Sequence, residues 1–315
     1  MLCTLVYTLL WALRYIATGE VGENDTVSTL FMGQFTLWTL PCYVASIIGA
    51  ATMAGLVVTS WLASQRHGFI PTRTMMPLVI GLTLTASIDC LHYFDHRHIA
   101  LILVFIAIDQ IVSMYDYKRH TKAAFNVALL LLVATLFEPI MVWLLMFAIV
   151  GMVVYGVGSK RTIISFVIGI TLMIYLTIGT LWLMDMTDVL TPLCQQMVNF
   201  QIITPQQWRW TDIGLAAITI LLWIITIVYH ATHRGNHNLN VHINFTFLCW
   251  GIGITLSLMI FAAVQITHIA CIPLLLLTLI GSHYFTTHQT NSSNIIFIVF
   301  TLALVSYRIL WVLGY

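Results

Sequence analysis

The stretch KRTIISFVIGITLMIYLTIGTLWLMD, residues 160–185, decides the fold. Two cations, Lys160 and Arg161, precede residues 162–184, which carry no charge, and Asp185 closes the run. A helix that crosses the hydrocarbon core of a bilayer needs about 20 apolar residues. In water such a surface would be left uncovered, so the segment reads as a membrane span. Its flanks also set its direction. Lys and Arg are held on the cytoplasmic face during insertion, which puts residue 160 inside and Asp185 outside.

The pattern repeats in both directions from there. The chain has 315 residues, of which 60% are hydrophobic and 7% charged, with a mean hydropathy of +0.97. Soluble domains carry about 25% charged residues. These figures exclude a water-soluble enzyme and an unfolded chain. Polar punctuation cuts the chain into about eleven candidate helices, over 1–17, 40–63, 75–90, 98–114, 122–137, 140–157, 162–184, 213–230, 241–266, 267–282 and 294–313. Phe137-Glu138-Pro139 makes a tight hairpin between the fifth and sixth. No loop separates 241–266 from 267–282, so about ten spans is the alternative count. The stretch 1–17 lacks a basic leader and reads as a retained first helix. The expected fold is all-α: a polytopic transmembrane helical bundle of about eleven spans, with a range of about 10–12, forming one integral membrane domain over 1–315.

Charge alternates along that sequence of spans. Arg66, Arg73, Lys118, Arg119, Lys122, Lys160, Arg161 and Arg234 fall in loops on one side. Glu20, Glu23, Asp25, Asp95, Asp185, Asp188 and Asp212 fall on the other, with only Arg97 and Arg209 as cations. The N-terminus is therefore expected in the cytoplasm. The loop 185–212 is expected outside, with Trp208 and Trp210 marking an interfacial helix. Net charge is +1 and no basic run exceeds two residues, which excludes nucleic acid as a partner. Six scattered cysteines form no CxxC pair and read as core thiols, a disulfide from Cys194 to Cys42 or Cys90 being the alternative.

Several polar groups carry possible chemistry. Glu20, Glu23 and Asp25 place three carboxylates beside glycines at the membrane surface, where one could act as a general base. The same residues also read as a solvated turn. Arg97 and Arg209 are the cations that would pair with a substrate phosphate there. On a helix His92, Asp95 and His96 share one face at i, i+3 and i+4, a spacing that suits zinc or non-haem iron; an interfacial loop tolerant of His is the alternative. Arg14, Asp89, Asp109, Glu138 and Arg308 are ionisable residues within or at the ends of spans, a costly place that often signals function. Asp109 is too short to reach the interface, so it requires a polar partner on a neighbouring helix or a wet cavity. A second histidine group, His230, His233, His237 and His242, with His283 and His288, lies on the cytoplasmic side. A di-iron oxygenase would need His92 and His96 on that same face, and the charge rule puts them opposite. No cofactor is specified by the sequence.

In chain order, Arg66-His67-Gly68-Phe69-Ile70-Pro71-Thr72-Arg73-Thr74 is followed by Tyr117-Lys118-Arg119, Phe125-Asn126, Ala134-Thr135-Leu136-Phe137-Glu138-Pro139 and Ser159-Lys160-Arg161. This succession, over about residues 65 to 170, resembles an uncharacterised multi-pass inner-membrane family of the Bacteroidota, whose members are sometimes labelled β-carotene monooxygenases. Where that family shows Asp after the Phe, this chain has Asn126. The family implies a bacterial inner-membrane location and no activity. In span number, an inside N-terminus and an acidic first outer loop, the chain is also similar to glycosyltransferases and polymerases that use polyprenyl-phosphate sugars. That likeness implies a catalytic carboxylate among Glu20, Glu23 and Asp25.

Three functions follow as expectations. The first is a scaffold or assembly component of a cell-envelope complex, with membrane lipids and envelope proteins as partners. The second is a glycosyltransferase-like enzyme acting on a lipid-linked substrate at the outer leaflet. The third is a proton-coupled transporter using Asp109 and Arg308.

Overall fold

The computed structural model describes residues 26–30, 35–70, 74–87, 93–115, 120–198, 210–232, 239–261, 269–288 and 290–312. The expected first span, Arg14, Glu20, Glu23, Asp25, Asp89, His92 and Arg209 lie outside these residues, as does the side chain of Arg308. What is described is all-α apart from one hairpin. The helices are α1 (Cys42–His67), α2 (Met76–Ser87), α3 (His96–Ser113), α4 (His120–Phe137), α5 (Leu144–Val154), α6 (Lys160–Leu183), α7 (Leu190–Val198), α8 (Trp210–Thr232), α9 (Leu239–Phe261), α10 (Cys271–Thr287) and α11 (Asn291–Val312). Five helices are long and apolar enough to cross a membrane: α1, α3, α4, α6 and α9. Every expected span from 40 onward has its helix, and the stretches 241–266 and 267–282 belong to two separate ones.

Before residue 40, where the sequence offered no element, the chain forms a hairpin. Strands β1 (Thr26–Leu30) and β2 (Phe35–Leu40) pair antiparallel, Thr26 opposite Leu40, with a bulge after Ser28. Residues such as Thr26, Val27, Thr29 and Trp38 favour extended backbone. Trp38 stacks on Phe94 at 5.5 Å, and the Phe94 N–H donates to Ala45 O at 2.8 Å. The hairpin is thereby tied to the entry of α3.

The helix ends have local causes. Gly68 takes a left-handed conformation, φ 65°, and ends α1 with its N–H bonded back to Ser64 O. Gly156 does the same after α5, φ 64°. The α4–α5 hairpin expected at Phe137-Glu138-Pro139 is present: Glu138 is extended, and a single 3₁₀ stretch, Pro139–Trp143, leads into α5.

α10 is the hub. It packs against α1, α2, α8, α9 and α11, and Cys271 through Phe285 are all buried. A helix apolar on every side belongs inside a bundle. α4 lies between α3 and α6, and α5 reaches α9, where Phe147 stacks on Phe247 at 4.5 Å. α6 is the opposite of α10. Only 17% of its most apolar window is buried, and Ile163, Ile164, Ile168, Ile174 and Tyr175 face outward. An apolar face of that extent suits lipid and not water. The loop 185–212 does contain a helix, α7, and Trp143 Nε1 donates to its Met197 O at 2.8 Å. Trp210 is not part of it but the first residue of α8. Neither Cys42 nor Cys194 is in a disulfide, so the bridge considered above is not formed.

Candidate functional site

The ends of α1 and α3 and the starts of α4 and α9 meet around one cavity of about 850 Å³. Its charged lining is Arg66, His67, Asp109 and Lys122, and its amides are Gln110, Asn126, Asn240 and Asn244. The left-handed turn at Gly68 stops α1 where Arg66 and His67 fall in its last turn, a place that favours cations. Asp109 comes one turn before the end of α3. His67 Nε2 donates to Asp109 Oδ1 at 2.8 Å, and Arg66 Nη1 lies 3.8 Å from Asp109 Oδ2. Asp109 thus has a polar partner on a neighbouring helix and lines a polar cavity.

Asn244 holds the chamber together. Its Oδ1 accepts from the Tyr155 hydroxyl at 2.9 Å, and its Nδ2 donates to the His67 backbone O at 3.0 Å. One buried amide thus joins α1, α5 and α9 and sets the position of the His67–Asp109 pair. Neither Asn244 nor Tyr155 was among the sequence candidates, which were ionisable groups. The signal was an Asn inside the apolar run 241–258, since a polar side chain at that depth requires a partner. The chamber offers cations and amide donors to an anion, and a carboxylate-oriented imidazole able to hold or release a proton.

The other end of the bundle gathers different residues. Asp95 is the N-cap of α3, extended at φ −135°, and its N–H donates to His98 Nδ1 at 3.1 Å, completing a capping box. His98 therefore carries its proton on Nε2. Arg97 Nε lies 3.7 Å from Asp95 Oδ2 and 3.9 Å from Glu138 Oε2. Burial works against the Asp95 carboxylate, but the His96 side chain and backbone N–H and the Arg97 charge outweigh it and hold its pKa below 3.8.

These contacts bear on two expectations, although His92 itself lies outside the described residues. The i, i+3, i+4 face of His92, Asp95 and His96 needs a helix through 93–95, and the chain is not helical there. His96 Nδ1 instead pairs with Asp95, and no group of three or more His, Cys, Asp or Glu is placed to hold a metal among the described residues. Arg97 sits between two internal carboxylates, which compete with any substrate phosphate. Arg97 is a charged neighbour of Glu138 at this end, while Arg14, Asp89 and the acids of 20–25 lie outside the described residues.

Histidines of three helices also converge. His230 Nε2 and His242 Nδ1 are 2.7 Å apart, His230 stacks on Phe245 at 3.9 Å, and His283 lies 6.0 Å from His230 between ring centres. This group is at the chamber end of α9, whereas His96 is at the far end of α3. α8 ends at Thr232, so a stripe through His233 and His237 lies outside the described residues.

No family model, curated protein or solved structure matches this chain. The resemblance to the Bacteroidota family rests on its short motifs alone.

Proposed function

We propose that this chain is an integral protein of the bacterial inner membrane, with about eleven spans and a cytoplasmic N-terminus. We further propose that it binds a small phosphate-bearing or similar anionic ligand in the Arg66–Asp109 chamber from the cytoplasmic side. The observation that carries this reading is the convergence of Arg66, His67, Lys122 and four amides on one cavity, where Asp109 is the one carboxylate among the described lining residues and faces two of these basic groups. Sidedness follows from the loops involved, because the chamber opens where the cation-bearing loops end and begin.

The test is titration of glycerol 3-phosphate into purified protein, followed by thermal unfolding. A ligand that binds only the folded state stabilises it by about 2.7 kcal/mol at a hundred times its Kd. A saturable rise in Tm is expected, lost in the Arg66→Gln, Lys122→Gln double variant. No rise at millimolar ligand removes the reading.

The His67–Asp109 pair favours a second role, proton-coupled transport of that ligand. Asp109→Asn keeps shape and removes the proton site, so it should bind ligand but abolish pH-driven uptake into proteoliposomes. Uptake equal to the parent protein's would discard coupling. A scaffold role predicts that all these variants behave as the parent in vivo. The outer-leaflet glycosyltransferase reading predicts loss of one glycan product in alanine variants of Glu20, Glu23 or Asp25.

A further inference from the structure

The chamber has an apolar neighbour. A groove of about 500 Å³ runs between α1 and α3, with Gly55, Leu56 and Leu62 on one wall and Ile102, Phe105 and Ile106 on the other. The hydroxyls of Thr52 and Thr59 in this groove donate to carbonyls of their own helix, so they add little unmet polarity. Leu62 and Ile106 are exposed, so the groove opens to whatever surrounds the bundle. Arg66 and Asp109 line both cavities. The apolar groove therefore ends at the ion pair where the polar chamber begins.

Length supports a single occupant. From Thr52 to Arg66 the groove follows α1 for about 21 Å at 1.5 Å per residue. One leaflet's share of the hydrocarbon core is ~15 Å. A slot of that length, apolar along its course and cationic at its end, complements an amphiphile. We propose that the chamber's ligand is a phosphate-bearing lipid, with its headgroup beside Arg66 and Lys122 and an acyl chain in the α1–α3 groove. This rests on the chamber-binding reading above and adds the ligand class. Binding involves no covalent step. Arg66 and Lys122 supply charge-assisted hydrogen bonds to the phosphate, and burial of the chain supplies the apolar gain, about 0.8 kcal/mol per buried methylene.

Gly55 provides a clean probe. A Cβ added there meets nothing within 4 Å, and leucine is a better helix former than glycine. Gly55→Leu should fill the groove and leave the fold and the chamber intact. The experiment compares glycerol 3-phosphate with 1-palmitoyl lysophosphatidic acid, which share a headgroup, on the detergent-purified full chain. Native mass spectrometry and thermal unfolding are the readouts. In the parent protein the lipid should bind at least tenfold more tightly. Gly55→Leu should erase that gain and keep glycerol 3-phosphate binding, and Arg66→Gln should weaken both. Binding of glycerol 3-phosphate with no gain from the acyl chain overturns the lipid assignment alone and identifies a soluble phosphate ester. Lipid binding untouched by Gly55→Leu or by Arg66→Gln marks nonspecific partitioning and also overturns it. Failure of both ligands overturns the chamber reading as well. Should Gly55→Leu aggregate, a lysophosphatidic acid with a photoreactive chain end settles the matter in the parent protein. Cross-links on 52–62 or 102–106 are expected, and cross-links elsewhere refute the proposal.

Discussion

Asn244 and Asp95 show how much rests on single polar side chains here. Removing Asn244 breaks two hydrogen bonds and strands the Tyr155 hydroxyl, which is itself buried. A buried group left unsatisfied costs about 1–3 kcal/mol. Asn244→Ala should lower Tm accordingly and weaken glycerol 3-phosphate binding, because His67 loses its anchor; unchanged binding would separate the amide from the site. Asp95 acts through its cap and its charge. Its folded pKa is depressed, so its stabilisation is present above 3.8 and disappears as pH falls through the lower folded value. Asp95→Ala should cost about 1 kcal/mol near neutral pH. Unfolding measured between neutral and acid pH should show a smaller acid-induced loss in Asp95→Asn than in the parent.

Between elements, close approach decides. An added Cβ at Gly169 on α6 would sit 2.9 Å from both Phe125 O and Ala128 Cβ on α4, whereas one at Gly179 meets nothing within 4 Å. A backbone oxygen cannot rotate away, so Gly169→Leu should destabilise by at least the ~1–3 kcal/mol of overpacking, and Gly179→Leu should not. Comparing their thermal midpoints checks this contrast. Leu276 on α10 is fully buried, and Leu276→Ala should cost about 2–5 kcal/mol, against little for Ile174→Ala on α6. The helices from 40 onward were legible as apolar runs between polar punctuation, although among the described residues only five are long and apolar enough to cross a membrane and the number of spans stayed open. α10 and α6 look equally apolar in sequence, so which of them is central was not legible; that depends on partners distant in the chain. The hairpin was missed because short alternating Thr/Val/Leu segments beside a span resemble loop. Asp109 was legible as a residue in need of a partner, but its partner was not. His67 lies 42 positions away in sequence, at a helix end where a basic residue needs no special explanation.

At the scale of the molecule, polarity is divided between two ends. One holds Arg66, His67, Asp109 and Lys122 around the chamber; the other holds Asp95, Arg97 and Glu138 beneath the hairpin. If the chamber opens to the cytoplasm, as proposed, Cys194 on α7 should face outward from the cell. In a variant retaining only that native thiol, an impermeant maleimide should label intact spheroplasts. A single cysteine at Ser159 should react only after lysis. Equal labelling of both before lysis would reverse the assignment. The burial of α10 has a consequence for biosynthesis. Five helices lean on it, yet its residues leave the ribosome after residue 270. If the bundle sits in a membrane, as proposed, α1 and α2 must until then keep the faces that α10 covers against lipid or a chaperone. A nascent chain arrested before Cys271 should be an early target of membrane proteases, and quality control of this protein should hinge on the arrival of one late segment.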